Sequence, residues 1–148
     1  MSGSCAACDR SSMAYDSLAT HGERQTLLRY DVLKALHHSP QPVGAYALFD
    51  QLHEHGRASA PPAVYRVLDF LVAQGLVHKL PTLGTYAACK SDPHRFDTCF
   101  AICNSCGKVS ELTPVAHTEM SRWMPDADFA IQNISVEVFG LCSECNSQ

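Results

Sequence analysis

Long apolar runs are missing from this 148-residue sequence, and none of its segments reaches the roughly 20 residues needed to cross a bilayer as a helix. Met1 to Ser12 is small and polar, without the apolar core of a signal peptide, so the expected compartment is the cytoplasm and no membrane partner is expected. Positive charge is scarce as well. Lys and Arg number 11 against 15 Asp and Glu, for a net charge of −4. Residues 1–88 hold seven of each sign, and residues 89–148 hold four basic against eight acidic. A neutral front half and an acidic back half mean that charge alone does not announce a nucleic-acid binder. Cysteine, by contrast, is plentiful at eight residues. In a reducing compartment such residues are metal ligands more often than bridges.

The cysteines are organised around Cys99 to Glu111. Cys103 and Cys106 form a Cys-x2-Cys pair followed by Gly107, with apolar residues leading in and Lys108-Val109-Ser110 leading out. That pattern reads as strand, tight knuckle, strand. Cys142 and Cys145 supply a matching pair. Four thiolates in two such pairs make a closed tetrahedral set suited to structural Zn²⁺, the alternative being a redox dithiol or a disulfide pair. Residues 107–141 exceed the interval of a minimal zinc ribbon, so a small domain is expected to fold between the pairs. A third pair, Cys5 and Cys8, has no partner pair and reads as part of a frayed tail over residues 1–10.

The front half is patterned for helices. Ser12 to His21 reads as a short helix closed by Gly22. A stronger one spans Glu23 to His38 with Leu28, Val32, Leu33 and Leu36 on one stripe, ended by Pro40 and Pro42. Ala45 to His55 makes the next, with Leu48, Phe49 and Leu52 inward and Tyr46 in its first turn, within reach of a phosphate. His37, His38, His53 and His55 lie near helix ends and read as exposed. Ser59-Ala-Pro-Pro opens another helix, prolines costing nothing in a first turn. Val64, Leu68, Leu71 and Val72 form its buried stripe, and Gly75 closes it. Leu76 to Leu80, the turn Pro81 to Gly84, and Thr85 to Cys89 then read as a β-ribbon. Three helices followed by such a ribbon predict a winged helix-turn-helix over residues 11–89, its last helix in the DNA major groove. Tyr65 and Arg66, near that helix's start, are the candidate DNA contacts together with Tyr46.

Residues 90–98 read as a polar hinge and residues 99–148 as a second domain. Within it, Thr113 to Met124 is expected to be helical and Phe129 to Leu141 a strand in which Ile134, Val136 and Val138 alternate with Ser135 and Glu137. The fold class is therefore α+β: a winged helix followed by a small zinc-stapled α/β unit. A three-stranded sheet leaves an edge and an apolar face uncovered. Dimerisation covers both, and a two-fold dimer suits a palindromic operator.

The run Pro61-Pro-Ala-Val-Tyr-Arg-Val-Leu-Asp-Phe-Leu, then Gly75-Leu-Val-His-Lys, then Cys-x2-Cys-Gly and a late Cys-x2-Cys, resembles the ferric uptake regulator family over about residues 24–145, and within it the zinc uptake branch. The resemblance implies a homodimeric repressor that binds palindromic double-stranded DNA near zinc-uptake genes when zinc-loaded. It also implies a regulatory zinc site made of His78, Cys89, His94 and Glu111, for two zinc ions per chain. Two imidazoles, a thiolate and a carboxylate are a sound zinc set, and the thiolate disfavours the harder Fe²⁺. An iron, nickel or peroxide sensor of the same family is the alternative. Only His94 stands where iron-type members carry a histidine-rich run, which disfavours a further regulatory site. Cys99 lies in the interval between His94 and Cys103 and competes as a ligand.

An enzyme reading rests on His117-Thr-Glu119 with Cys142-x2-Cys145, which matches a zinc deaminase signature apart from Leu141 in the place of its proline. The second cysteine pair already has a partner in the first, and a closed four-thiolate site leaves no position for water. The chain is therefore expected not to be an enzyme.

Overall fold

The computed structural model describes residues 27–89, 98–112 and 134–147. The chain divides into two compact units, Met1–Cys89 and Lys90–Gln148.

In the first unit, α1 spans Leu27–His38 and buries Val32, Leu33 and Leu36. The turns expected upstream of Leu27 lie outside the described residues. A two-residue strand, β1 (Val43–Gly44), leads into α2 (Ala45–Glu54), which buries Ala45, Leu48 and Leu52 at helical spacing. Phe49 is only partly buried and stacks on His53 with ring centroids 5.1 Å apart. The third helix, α3, runs Pro61–Ala73 with its prolines in the first two helical positions. Its buried stripe is Val64, Val67, Leu68 and Leu71, so Val67 belongs to the core and the predicted Val72 only packs against it.

Gly75 ends α3 in the left-handed region, at φ 71°. There the Leu76 N–H reaches the Leu71 carbonyl at 3.0 Å and the Gly75 N–H reaches Val72 at 3.0 Å, the paired bonds of a Schellman cap. Leu71 and Leu76 are both buried beside it. The cap turns the chain back along the helices, and β2 (Val77–Leu80) and β3 (Thr85–Ala88) form the expected antiparallel ribbon. The addition is β1, which pairs with β3 to give the sheet order β1-β3-β2. All three helices and the ribbon share one core, in which Leu48, Val64, Leu68 and Leu71 lose their solvent contact altogether. This is a winged helix-turn-helix. His38, His53 and His55 are exposed as expected, each with Nδ1 on a main-chain carbonyl at 2.7–2.8 Å. His37 departs from the expected exposure and is half-buried.

In the second unit, β4 (Thr98–Cys103) and β5 (Val109–Leu112) form a hairpin, and β6 (Ser135–Gly140) runs parallel to β4 on its other side. The sheet order is β5-β4-β6. A short helix, α4 (Ser143–Asn146), follows it. Phe100, Ile102 and Ile134 are buried, while Leu112, Val138, Phe139 and Leu141 are 41–56 % exposed. The expected helix over 113–124 and the expected strand residues 129–133 lie outside the described residues. No described helix is long and apolar enough to cross a membrane.

The first unit's stability should rest on its helix core. Leu68→Ala removes a fully buried side chain and is expected to cost about 2–5 kcal/mol, read as a lower urea midpoint with little change in slope.

Candidate functional site

The parallel pairing of β4 with β6 decides where the cysteines meet. Both Cys-x2-Cys segments follow the same ends of neighbouring strands, because Cys103 lies opposite Gly140. In the first knuckle, Gly107 sits at φ 73° and its N–H reaches the Cys103 carbonyl at 3.0 Å. The Cys103 N–H in turn reaches the Lys108 carbonyl at 2.9 Å. In the second knuckle, the Cys145 and Asn146 N–H groups reach the Cys142 carbonyl at 3.0 and 2.8 Å. Main-chain N–H groups help to join the knuckles: Asn104 N–H reaches the Gly140 carbonyl at 2.8 Å, and Cys142 N–H reaches Cys103 Sγ at 3.3 Å.

The result is four sulfurs, of Cys103, Cys106, Cys142 and Cys145, all within 4.8 Å of one another. A tetrahedron with Zn–S bonds of about 2.3 Å has sulfur–sulfur edges of about 3.8 Å. Cys106 Sγ and Cys142 Sγ are 3.7 Å apart, which fits that edge and is far too long for a disulfide. All six described cysteines are free thiols.

The electrostatics point the same way. Main-chain N–H groups of Cys106 and Cys142, aided by Ser105, hold the Cys103 thiol down to about 6 despite desolvation. A hydrogen bond from Ser105 favours the Cys145 thiolate, yet the neighbouring sulfurs of Cys142, Cys106 and Cys103, with burial, push it up to about 12. One sulfur ionises readily, and the last is opposed by those around it. A divalent cation removes that opposition, and soft thiolates select zinc among the common ones. Four sulfurs close the coordination sphere, which suits a structural site and leaves no position for a substrate water. The deaminase alternative needed Cys142 and Cys145 without these partners; its His117 and Glu119 lie outside the described residues.

A second thiolate–imidazole pairing occurs in the wing. His78 lies opposite Ala87 in the β2–β3 ladder, and Cys89 follows β3 on the same face, its N–H on the Leu76 carbonyl at 2.9 Å. Both are buried, His78 being the one buried polar side chain among the described residues. A ring nitrogen of His78 and Cys89 Sγ lie within 4.8 Å. Glu111 stands on β5 of the second unit, opposite Phe100 and half-buried. His94, Cys5 and Cys8 lie outside the described residues. Cys99 is on β4 between Leu112 and Val136 and is not among the four gathered sulfurs.

The three candidate DNA contacts are exposed together. Tyr46, in the first turn of α2, meets Tyr65 edge-on with ring centroids 6.0 Å apart. They are 65 % and 38 % exposed, and Arg66 beside them is also exposed. Neither α2 nor α3 carries an acidic residue in its first turn, so the positive ends of both helix dipoles are left uncompensated.

Comparison with known proteins agrees with this arrangement. The model of the ferric uptake regulator family matches residues 20–139. The chain belongs to the ferric uptake regulator family. Among its relatives, the zinc uptake regulation protein of Escherichia coli is 34 % identical over 137 residues, covering 86 % of this chain and 75 % of that protein. The fold is similar to that of a zinc uptake regulator complexed with zinc and DNA, with a TM-score of 0.85, 30 % identity and 97 % of each chain covered. It is likewise similar to holo XcZur, with a TM-score of 0.83, 32 % identity, and 95 % of this chain and 99 % of that one covered. The family is one of regulators and not of enzymes.

Two residues of the cysteine centre were missed in the sequence. Lys108 Nζ donates to Glu144 Oε1 at 3.0 Å, joining the two knuckles by an ion pair. The signal was there, one residue after the Cys-x2-Cys-Gly and one inside the second Cys-x2-Cys, but it is readable only once the pairs are known to face each other.

Cobalt offered to the metal-stripped protein should give the intense sulfur-to-metal absorption of a tetrahedral thiolate site. Cys142→Ser should abolish the four-sulfur spectrum, and an unchanged spectrum in that variant would show the metal to be elsewhere.

Proposed function

We propose that this protein is a zinc-responsive transcriptional repressor that binds palindromic operator DNA as a homodimer when zinc-loaded and controls zinc-uptake genes. The observation that carries the reading is the His78–Cys89 pair, a soft ligand pair built into the wing of a helix-turn-helix unit. Relatives named for zinc uptake, and a similar structure complexed with zinc and DNA, support it.

The proposed regulatory set is His78, Cys89, His94 and Glu111, in addition to the structural set Cys103, Cys106, Cys142 and Cys145, for two zinc ions per chain. In this proposal zinc acts on DNA binding from the regulatory set. Its influence on DNA binding is then limited by its preference for the conformation in which all four ligands are satisfied. Moving a protein from mostly incompetent to mostly competent takes about 5.5 kcal/mol of such preference. That is well within the roughly 10 kcal/mol or more available to a zinc site.

On the DNA side, the proposal gives Arg66 and Tyr65 base or phosphate contacts at the start of α3, and gives Tyr46 a phosphate contact at the start of α2. The uncompensated helix dipoles favour phosphates there. The homodimer reading is supported by Leu112, Val138, Phe139 and Leu141, apolar side chains on the second unit's sheet and just past β6. A two-fold pair of such units gives one reading helix per half-site.

Operator titrations across a metal panel test the reading. Cys89→Ser and His78→Ala should keep the dimer and the four-cysteine metal while losing zinc-dependent operator binding; full zinc activation in both variants would place the switch at another site. Arg66→Ala should cost about 1–3 kcal/mol, with relaxed specificity at one position if it reads a base, or uniform weakening if it holds a phosphate. Unchanged affinity in both Arg66→Ala and Tyr65→Ala would remove α3 from the DNA.

A further inference from the structure

We propose that Lys108 is a positioning residue of the four-cysteine metal centre: its ammonium, aimed by Glu144 across the two knuckles, offsets the centre's negative charge and slows loss of the ion. The inference rests on the reading of that centre as a zinc site and adds to it a residue that no ligand pattern names.

Lys108 is built into the first knuckle by its main chain, since its carbonyl accepts the Cys103 N–H at 2.9 Å. Its side chain leaves that knuckle and meets Glu144, which stands between Cys142 and Cys145 in the second, at 3.0 Å. The ammonium is therefore tethered at one end of the site and steered to the other.

Charge makes this placement matter. Four thiolates and one divalent cation sum to −2, more negative charge than the same cysteines hold as metal-free thiols. A cation beside them favours the loaded form. Among the described residues of the second unit, Lys108 is the only Lys or Arg, against Glu111, Glu137 and Glu144. The Lys108 and Glu144 side chains are 43 % and 73 % exposed, so as a plain surface ion pair the contact contributes little to folding. Its consequence falls on the metal, where outer-shell substitutions typically change affinity by about 10–100-fold. The exposure also makes the effect sensitive to salt.

The test follows zinc release to an excess of a chromogenic chelator, using the full chain carrying Cys89→Ser so that the four-cysteine centre is the zinc class observed. Zinc content is measured first; a protein that arrives without zinc would overturn the reading of the centre itself, and is thereby distinguished from a failure of this proposal. In zinc-replete protein, Lys108→Met should release zinc about tenfold faster, near the low end of outer-shell effects. Lys108→Arg, which keeps the charge, should stay close to the parent. Added salt should narrow the difference in release rate between the parent and Lys108→Met. Release from Lys108→Met at the parent's rate, or from Lys108→Arg as fast as from Lys108→Met, would overturn the charge-based role. Should Lys108→Met fail to fold, Lys108→Gln, which removes the same charge, decides, and release at the parent's rate would overturn the role equally.

Discussion

Four sulfurs of the second unit lie within 4.8 Å of one another, close enough that their ionised forms repel. Among its described residues the buried apolar side chains are Phe100, Ile102, Cys103 and Ile134. The remaining described cysteines of the centre are held by the knuckles. The parallel β4–β6 pairing brings both to one end of the sheet, Gly107 makes the tight turn, and main-chain N–H groups favour the Cys103 thiolate. In the proposed reading a zinc ion converts that repulsion into the unit's main source of cohesion. The outer pair Lys108–Glu144 then moderates the charge left over.

The first unit is made differently. Its helices and ribbon share a continuous apolar core and a complete Schellman cap. A soft ligand pair in such a unit is therefore free to serve as a signal. His78 and Cys89 lie on the face of the ribbon away from Val77, Tyr86 and Ala88, which belong to the helix core. In the proposed reading, occupancy of that pair changes without dismantling α3, and one protein separates a metal that holds a unit together from a metal that reports supply.

Much of this was legible in the sequence, and the limits are physical. Helix period and proline placement gave α2 and α3 nearly to the residue, and Cys-x2-Cys spacing gave the four-sulfur centre. Val67 replaced Val72 in the stripe because two neighbouring faces of α3 are both apolar, and only packing chooses between them. β1 escaped notice because two residues carry no alternation; its partner β3 creates it. The parallel β4–β6 pairing is likewise non-local, and with it the contact that brings Lys108 to Glu144. Tyr46 and Tyr65 could each be marked as candidate contacts, but their edge-on packing is a tertiary fact. The wing pair was proposed through family resemblance, since a single strand histidine and a single cysteine say little by themselves.

The central claim is that two zinc classes do different work. A single titration tests it: metal-stripped native protein receives zinc in known equivalents while dimer formation and operator binding are followed on the same samples. The account predicts that the first equivalent per chain restores the folded dimer with little operator affinity, and that operator binding rises with the second. Full operator binding at one equivalent per chain, with no change on further addition, would contradict it.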